Sequence, residues 1–378
     1  MIPLSITIIT LLYSILICYL AYGWFRLKTN SSGNPDASMS VSIIIPARNE
    51  FENIDPLLKD IAAQTYPSSL TEVIVVDDGS DDETRHQAQQ SMRENQIRGV
   101  VISLEKVSPN PSPKKRALTK GINRASGELI ITTDADCRAG KEWLKTMTLH
   151  YQQSGAVFLS GPVNHAPLTT FFSKIQALEF NSLVASGAGA IGAGTALMSN
   201  GANLAFRRKA FLAVKGYEGN ESFVSGDDVF LMMKLQKAYG KQAITFVKDP
   251  KAIISTAAKS SWKEFMEQRK RWASKTKAYK TFFALFTSVI VFFFNFLLLL
   301  SPVYLLLNPS GYSWVLAAWA VKFFTDALLL FPVSRFLGQA HLFRYYLPAQ
   351  FFVMFYISLA GFLGMTTKFS WKGRVYRK

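Results

Sequence analysis

Four stretches of this sequence are almost wholly apolar: Met1 to Phe25, Phe282 to Leu307, Tyr312 to Phe331 and Tyr345 to Gly364. Each is close to the roughly 20 residues that a helix needs to cross a bilayer. They leave one long polar stretch to fold around its own core. The expected organisation is an N-terminal anchor (1–28), a polar domain (29–258), a basic amphipathic segment (259–280), about three C-terminal helices (281–366) and a basic tail (367–378).

A cleaved secretory signal carries positive charge before its apolar stretch, and here no Lys or Arg precedes Arg26. The first segment is therefore expected to stay as an anchor. Arg26 and Lys28 follow it, so the positive-inside rule puts the polar domain in the cytoplasm, on a multi-pass protein of the cytoplasmic membrane. Cys18 and Cys137 suit that reducing side, and no disulfide is expected. A formal charge of +16 raises the question of nucleic acid. Much of the basic charge sits instead at Lys259 to Lys280, directly before an apolar segment, and in the tail WKGRVYRK. Such juxtamembrane clusters are drawn to anionic head groups, so a membrane partner is expected and nucleic acid is not.

The polar domain alternates β-branched runs with helical patterns. VSIIIPARNE, EVIVVDDGSDDET, GVVISLE and GELIITTDADC are separated by helix-like stretches, which predicts right-handed crossovers and an α/β fold with a mostly parallel, Rossmann-like sheet. Ligands of such sheets sit beyond the carboxyl ends of the strands. Polar residues appear at those ends: Arg48, Asn49 and Glu50 after the first run, Asp77 and Asp78 after the second, Asp134 and Asp136 after the fourth. From about residue 155 the pattern loosens. The Gly- and Ala-rich stretch ASGAGAIGAGTALMSNGANLAF has no clear period and is expected to form a close-packed loop wall or an apolar surface.

Two carboxylates one residue apart, in a loop after a buried strand, suit a hard divalent cation that keeps positions for water and substrate phosphates; a solvated turn explains the same residues. Cys137 beside them reads as a small buried neighbour, because a zinc site needs more Cys or His than this stretch has. In SGDDVFLMMKL, Asp227 and Asp228 precede a helical pattern. They fit a helix cap, and equally a general base held in a site poor in water. In QRKRW, helical spacing puts Gln268, Arg271 and Trp272 on one face and turns Arg269 and Lys270 elsewhere; a basic helix lying on the membrane is the simpler explanation.

The order of these parts is more specific than any one of them. Together, VSIIIPARNE, VIVVDDGSDDET, SPKKRALTKGINRASGELIITTDADC, SGDDVFLMMKL and QRKRW, spanning about Val41 to Trp272, resemble a membrane-bound family 2 glycosyltransferase, an inverting enzyme of the GT-A fold. The resemblance implies that the polar domain is catalytic and that Pro46, Ala47, Glu50 and Asp78 line the nucleoside site. It implies that Lys114 is the lysine of a Gly-Lys-x-x-Ala-Leu segment, with Pro113 in place of Gly and Lys115 as a rival. Asp134 and Asp136 match the D-x-D motif for a divalent metal (Mg or Mn) and the donor diphosphate. Asp228 matches the catalytic base, with Asp227 where Glu is usual. Gln268, Arg271 and Trp272 match the Q-x-x-R-W motif over donor pyrophosphate and acceptor sugar. The donor is expected to be a nucleotide-diphosphate sugar, UDP sugars being the family's commonest choice.

Three helices after the domain are few for a polymer channel, which favours a lipid acceptor over processive polysaccharide synthesis. A nucleotidyl or phosphoryl transferase would share the paired Asp, but the G-x-x-x-x-G-K-S/T phosphate loop is missing. A membrane scaffold or transporter that only binds nucleotide sugars is the non-enzyme alternative. Lys322 and Asp326 stand at i, i+4 within an apolar segment, where an internal ion pair is expected before an acceptor contact. Four full crossings would leave the basic tail outside, against its charge, so one segment is re-entrant or the tail breaks the rule. Oligomeric state is left open.

Overall fold

The computed structural model describes residues 2–29, 38–105, 112–221, 223, 225–274, 281–366, 369–371 and 374–376. Residues 30–37, the basic stretch 275–280 and part of the tail lie outside these residues. The chain divides into two compact units: Leu27–Ala166 with Met198–Ala257, and Met1–Arg26 with Pro167–Leu197 and Ala258–Lys378. The stretch expected as one continuous domain is thus interrupted by Pro167–Leu197, which packs with helices instead.

Elements are numbered along the chain. The α/β unit contains β1 (Val41–Ala47), α2 (Phe51–Ala62), β2 (Thr71–Asp77), α3 (Thr84–Glu94), β3 (Gly99–Ser103), α4 (Pro113–Arg124) and β4 (Leu129–Thr132). After them come β5 (Cys137–Ala139), α5 (Trp143–Ser154), β6 (Phe158–Ser160) and β7 (Val163–His165). The second pass adds β8 (Leu204–Arg207), α7 (Arg208–Ala213), α8 (Asp227–Tyr239), β9 (Ile244–Phe246) and β10 (Ile254–Thr256). The helical unit holds α1 (Ile2–Arg26), α6 (Phe171–Gly192), α9 (Trp262–Ser274), α10 (Phe282–Leu307), α11 (Tyr312–Phe336) and α12 (Tyr346–Thr366), followed by β11 (Phe369–Trp371) and β12 (Arg374–Tyr376).

Among the described residues the main sheet has the order β3-β2-β1-β4-β8-β6-β9. Its first four strands are parallel, and β8 runs antiparallel to both β4 and β6. The expected α/β class holds, with a mixed second half. Ile43, Ile44, Ile45, Val75, Val76, Ile130 and Ile131 are fully or almost fully buried, as strands covered on both faces require. Helix α2 buries Ile54, Leu57, Leu58 and Ile61, one face at helical spacing. Helix α4 lies so close to the sheet that a Cβ on Gly121 would stand 2.6 Å from Ile44 Cγ2. A smaller sheet joins β5, β10 and β7.

The sheet opens where the site is expected. Pairing between β1 and β4 runs from Val41–Leu129 to Ile44–Thr132 and ends there, while β1 continues beside β2 to Ala47 and Asp77. Pro46, which has no N–H for a ladder, lies in the part of β1 that β4 no longer pairs. Beyond Thr132 the chain turns away into Asp134 and Asp136.

In the helical unit, Ser5–Arg26, Phe282–Leu307, Pro309–Phe336 and Ala340–Leu363 are long and apolar enough to cross a membrane. The Gly/Ala-rich stretch corrects the expectation of a loop wall at its start, Ala185 to Gly192, which is the end of helix α6. A Cβ on Gly23 of α1 would fall 1.8 Å from the Gly189 carbonyl oxygen, and one on Gly189 2.3 Å from that of Leu20. The small residues let two helix backbones touch, which is how helices associate where apolar burial against lipid supplies little. The expected ion pair also forms. Lys322 Nζ is 2.5 Å from Asp326 Oδ2 and donates to Gln350 Oε1 at 2.9 Å, while Tyr13 Oη donates to Asp326 Oδ1 at 2.6 Å. These contacts join α1, α11 and α12, so both charges have partners inside the helical unit.

Candidate active site

The carboxyl ends of β2, β1 and β4 lie side by side, and the first turn of α4 reaches the ends of the outer two. Arg116 Nη2 contacts Asp78 Oδ1 at 2.5 Å, after β2. Lys114 Nζ contacts Asp134 Oδ1 at 2.6 Å, after β4. Pro113 occupies the first turn of α4, where a missing N–H costs nothing.

Lys114 is the centre of the cluster. Its ammonium also lies 3.5 Å from Asp227 Oδ2, at the start of α8. Burial alone would lower its pKa, but Asp134, then Asp227, then Asp228 outweigh that and hold it well above the usual lysine range. It is a fixed positive charge at neutral pH. The rival Lys115 points elsewhere: Nζ donates to the carbonyls of Asn220 at 2.7 Å and Phe223 at 2.9 Å, and lies over the Phe230 ring. Lys115 therefore braces the segment leading into α8, while Lys114 faces the carboxylates.

Gly226 starts α8 with φ of 89°, a left-handed conformation that glycine adopts without a Cβ penalty. Asp227 and Asp228 then stand in the first helical turn, where the helix dipole favours negative charge, and both are buried. Gly226, not an aspartate, is the N-cap of α8 and among the described residues no side chain caps the helix, so the two aspartates belong to the first turn rather than to the cap. Asp228 Oδ1 accepts from the Val229 N–H at 2.7 Å. Burial pushes the Tyr217 hydroxyl well above its ordinary pKa, and the Asp227 and Asp228 carboxylates add to that. Gly201 closes the other side: a Cβ there would be 3.0 Å from Asp227 Oδ2 and 3.2 Å from Lys114 Nζ.

The β1–β2 end is tightly tied. Arg48 Nη1 donates to the carbonyls of Asp78 at 2.7 Å and Gly79 at 2.8 Å. Glu50 is buried, its N–H donating to Thr84 Oγ1 at 2.7 Å and its Oε2 accepting from Asn53 at 2.6 Å. Asp77 accepts from the Ser80 N–H and hydroxyl, so it shapes the DDGS turn. Pro46 and Ala47 end β1 beside this turn, Ala47 accepting the Asp78 N–H through its carbonyl at 2.9 Å.

Asp134 and Asp136 are both partly exposed, flanking buried Ala135. Among the described residues no group of three His, Cys, Asp or Glu forms a ready-made metal cage. Two accessible carboxylates fit a cation of the Mg or Mn type, which binds through one or two carboxylates and completes its shell with water and phosphate oxygens. Cys137 does not add a thiolate, since burial and then Asp136 and Asp134 push its pKa well up.

Gln268, Arg271 and Trp272 lie on α9 in the helical unit. There Arg269, expected to point away, is the buried member of the segment. Sequence reasoning also passed over Arg116 and Asn203. Arg116 is simply the third cation of PKKR. Asn203 is a fully buried hub: it accepts from Trp143 Nε1 at 3.0 Å and donates to the carbonyls of Pro162 and Ala252, both at 2.8 Å. Nothing local in its sequence marks that role.

The model of Glycosyl transferase family 2 matches residues 42–214, and that of Glycosyl transferase family group 2 matches residues 129–363. The glycosyltransferase AglE of Haloferax volcanii is 34% identical over 123 residues, 32% of this chain and 39% of that protein. A dodecaprenyl-phosphate galacturonate synthase of Rhizobium johnstonii is 26% identical over 155 residues, 40% of this chain and 44% of that protein. The chain thus spans less than half the length of either relative. Among solved structures, the mannosyltransferase PcManGT from Pyrobaculum calidifontis, in complex with GDP-Man and Mn2+, superposes with a TM-score of 0.62 at 18% identity, covering 97% of this chain and 98% of that one. The second model spans more than half of the 378 residues, and the chain belongs to the family 2 glycosyltransferases, with a GT-A-type α/β unit and helices apolar enough to cross a membrane.

Proposed function

We propose that this protein is a membrane-embedded inverting glycosyltransferase that moves a sugar from a nucleotide-diphosphate donor to a lipid acceptor. The observation that carries the reading is the Lys114 ammonium set between Asp134, after β4, and Asp227, at the start of α8. One cation and the buried carboxylates of a second element converge at the open edge of a nucleotide-type sheet. A UDP sugar is the first donor to test; GDP-mannose, which the structural neighbour holds, is the second. The prenyl-phosphate named in the Rhizobium relative supports a lipid acceptor as a class, although its nucleophile would be a phosphate oxygen and not the hydroxyl proposed here.

In this reading the acceptor hydroxyl attacks the anomeric carbon in line with the departing diphosphate. Its proton passes to Asp228, the C–O bond to phosphate breaks, and the nucleoside diphosphate leaves with the bonding pair. One displacement without a covalent intermediate inverts the anomeric centre. Lys114 offers fixed positive charge to the leaving phosphate, where negative charge grows. A divalent cation on Asp134 and Asp136 would neutralise more of that charge. Pro46, Ala47, Glu50 and Asp78 are assigned to the nucleoside, with Asp78 held in place by Arg116. Gln268, Arg271 and Trp272 are assigned to donor and acceptor contacts on the Q-x-x-R-W resemblance.

The test uses membranes containing the full chain and a panel of radiolabelled UDP and GDP sugars, with Mg2+, Mn2+ or a chelator. Label should enter the lipid phase as discrete glycolipid and depend on the cation. Label in long polymer would favour a processive synthase, and binding without transfer would leave a nucleotide-sugar scaffold or transporter. Asp228→Asn should lower transfer by about 10²- to 10⁴-fold, the usual worth of a general base; near-normal transfer would remove Asp228 from its assigned role.

A further inference from the structure

The QRKRW segment contains one arginine to which the Q-x-x-R-W pattern gives no task. Arg269 points into the helical unit and its side chain is only 4% exposed. Nε donates to Glu179 Oε1 at 3.1 Å and Nη2 grips Glu179 Oε2, a two-pronged contact to α6. Tyr356 of α12 donates its hydroxyl to the same Glu179 Oε1 at 2.6 Å. The guanidinium carbon Cζ lies 4.3 Å from the Phe265 ring centre and 4.4 Å from that of Trp272.

The third prong, Nη1, donates to Gln268 Oε1 at 2.6 Å. A guanidinium has donors and no acceptor, so the amide atom facing it must be the oxygen. The NH2 then faces away from Arg269 as the group that Gln268 can donate elsewhere. A buried ion pair is a poor way to gain stability, because apolar residues of similar volume often do as well or better. What apolar residues cannot do is fix the orientation of an amide.

We propose that Arg269, anchored by Glu179 and Tyr356, is a positioning residue that turns the Gln268 amide so that its NH2 donates to a substrate oxygen, a diphosphate or a sugar hydroxyl. The proposal rests on the reading of Gln268 as a substrate-contacting residue. The same guanidinium lies against the Trp272 ring, so two members of the motif take their places from one buried side chain.

The experiment compares Gln268→Ala, Gln268→Glu, Arg269→Lys and the double variant Gln268→Ala/Arg269→Lys in the full chain, with the nucleotide sugar that the wild type consumes. Gln268→Glu keeps an acceptor for Arg269 but loses the NH2. It should keep the unfolding midpoint of the wild type while kcat falls by about 100-fold, the scale of a misplaced reacting group. Arg269→Lys keeps a cation against Glu179 without the fork; kcat should fall alike, with little change in KM for the donor. Added to Gln268→Ala it should cost nothing further, because the two act as one unit. Arg269→Lys with near-normal kcat, or losses that multiply in the double variant, would overturn the proposal while leaving the function standing. Gln268→Ala with wild-type transfer would remove the substrate role of Gln268 and the proposal with it. Gln268→Glu with wild-type kcat would show that the NH2 is not the working group.

Discussion

Adjacent lysines on α4 differ in what they hold, and that difference can be measured. Lys114→Met removes the cation between Asp134 and Asp227. Transfer should fall by about 100-fold or more, on the scale of losing one preorganised electrostatic contact, with a smaller effect on folding. Lys115→Met strips donors from two carbonyls and should cost about 1–3 kcal/mol of stability, seen as a lower unfolding midpoint. Its activity should recover largely at lower temperature, whereas that of Lys114→Met should not. The motif PKKRAL marks the place of a lysine but not which one. Consecutive residues on a helix point about 100° apart, and the choice depends on where the chain near Asn220 lies, which no local pattern states. The paired acids were legible for the opposite reason: a strand that ends in a turn leaves its next polar residues at the sheet edge, whatever the rest of the chain does. Arg116 and Asn203 were not, since their roles depend on partners far along the chain.

At the scale of elements, the strands up to β4 followed from unbroken β-branched runs, because both of their faces are covered, and the helices between them from the period of their apolar residues, because one face is covered. Helix α6 did not. It packs on several sides, so Ile175, Leu178, Phe180 and Ile191 are buried together with Gly187 and Gly189, and no polar stripe reveals the helical period. The signal available was the spacing of small residues: Ala185 and Gly189 stand four apart, as helix backbones in contact require. Gly189→Leu should force α1 and α6 apart, because the space for even a Cβ is taken by the Leu20 carbonyl. Overpacking of this kind costs about 1–3 kcal/mol, and more where the obstacle is backbone. Purified Gly189→Leu protein should unfold at a lower temperature in detergent than the wild type, while Gly155→Ala, at an open helix end in the other unit, should show only the small cost of its left-handed φ of 65°. Equal midpoints for Gly189→Leu and wild type would mean that α1 and α6 do not meet at these glycines.

For the molecule as a whole, the distribution of exposed apolar side chains argues for a bilayer and that of the charges argues for an orientation. Phe282, Leu306 and Leu307 on α10, which carries no charged residue, and Phe324 on α11 are each more than three-quarters exposed. Such surface is stable against lipid and a liability in water. The connection Asn308–Gly311 between α10 and α11 carries no charged residue, whereas Arg335 and Arg344 lie at the α11–α12 connection, Arg26 ends α1 and Lys28 follows it. Positive charge should stay on the cytoplasmic side. The α10–α11 connection is then expected to face outward, and the α11–α12 connection to share the side of the residues that follow α1. In a background with Cys18 and Cys137 replaced by serine, Ser310→Cys should react with a membrane-impermeant maleimide on intact cells. Lys141→Cys, exposed in the α/β unit, should react only after the membrane is opened. Labelling of Lys141→Cys on intact cells would put the sheet on the outside. There no cytoplasmic pool of nucleotide sugar could reach it, and the proposed transfer would lose its donor while the fold itself stayed untouched.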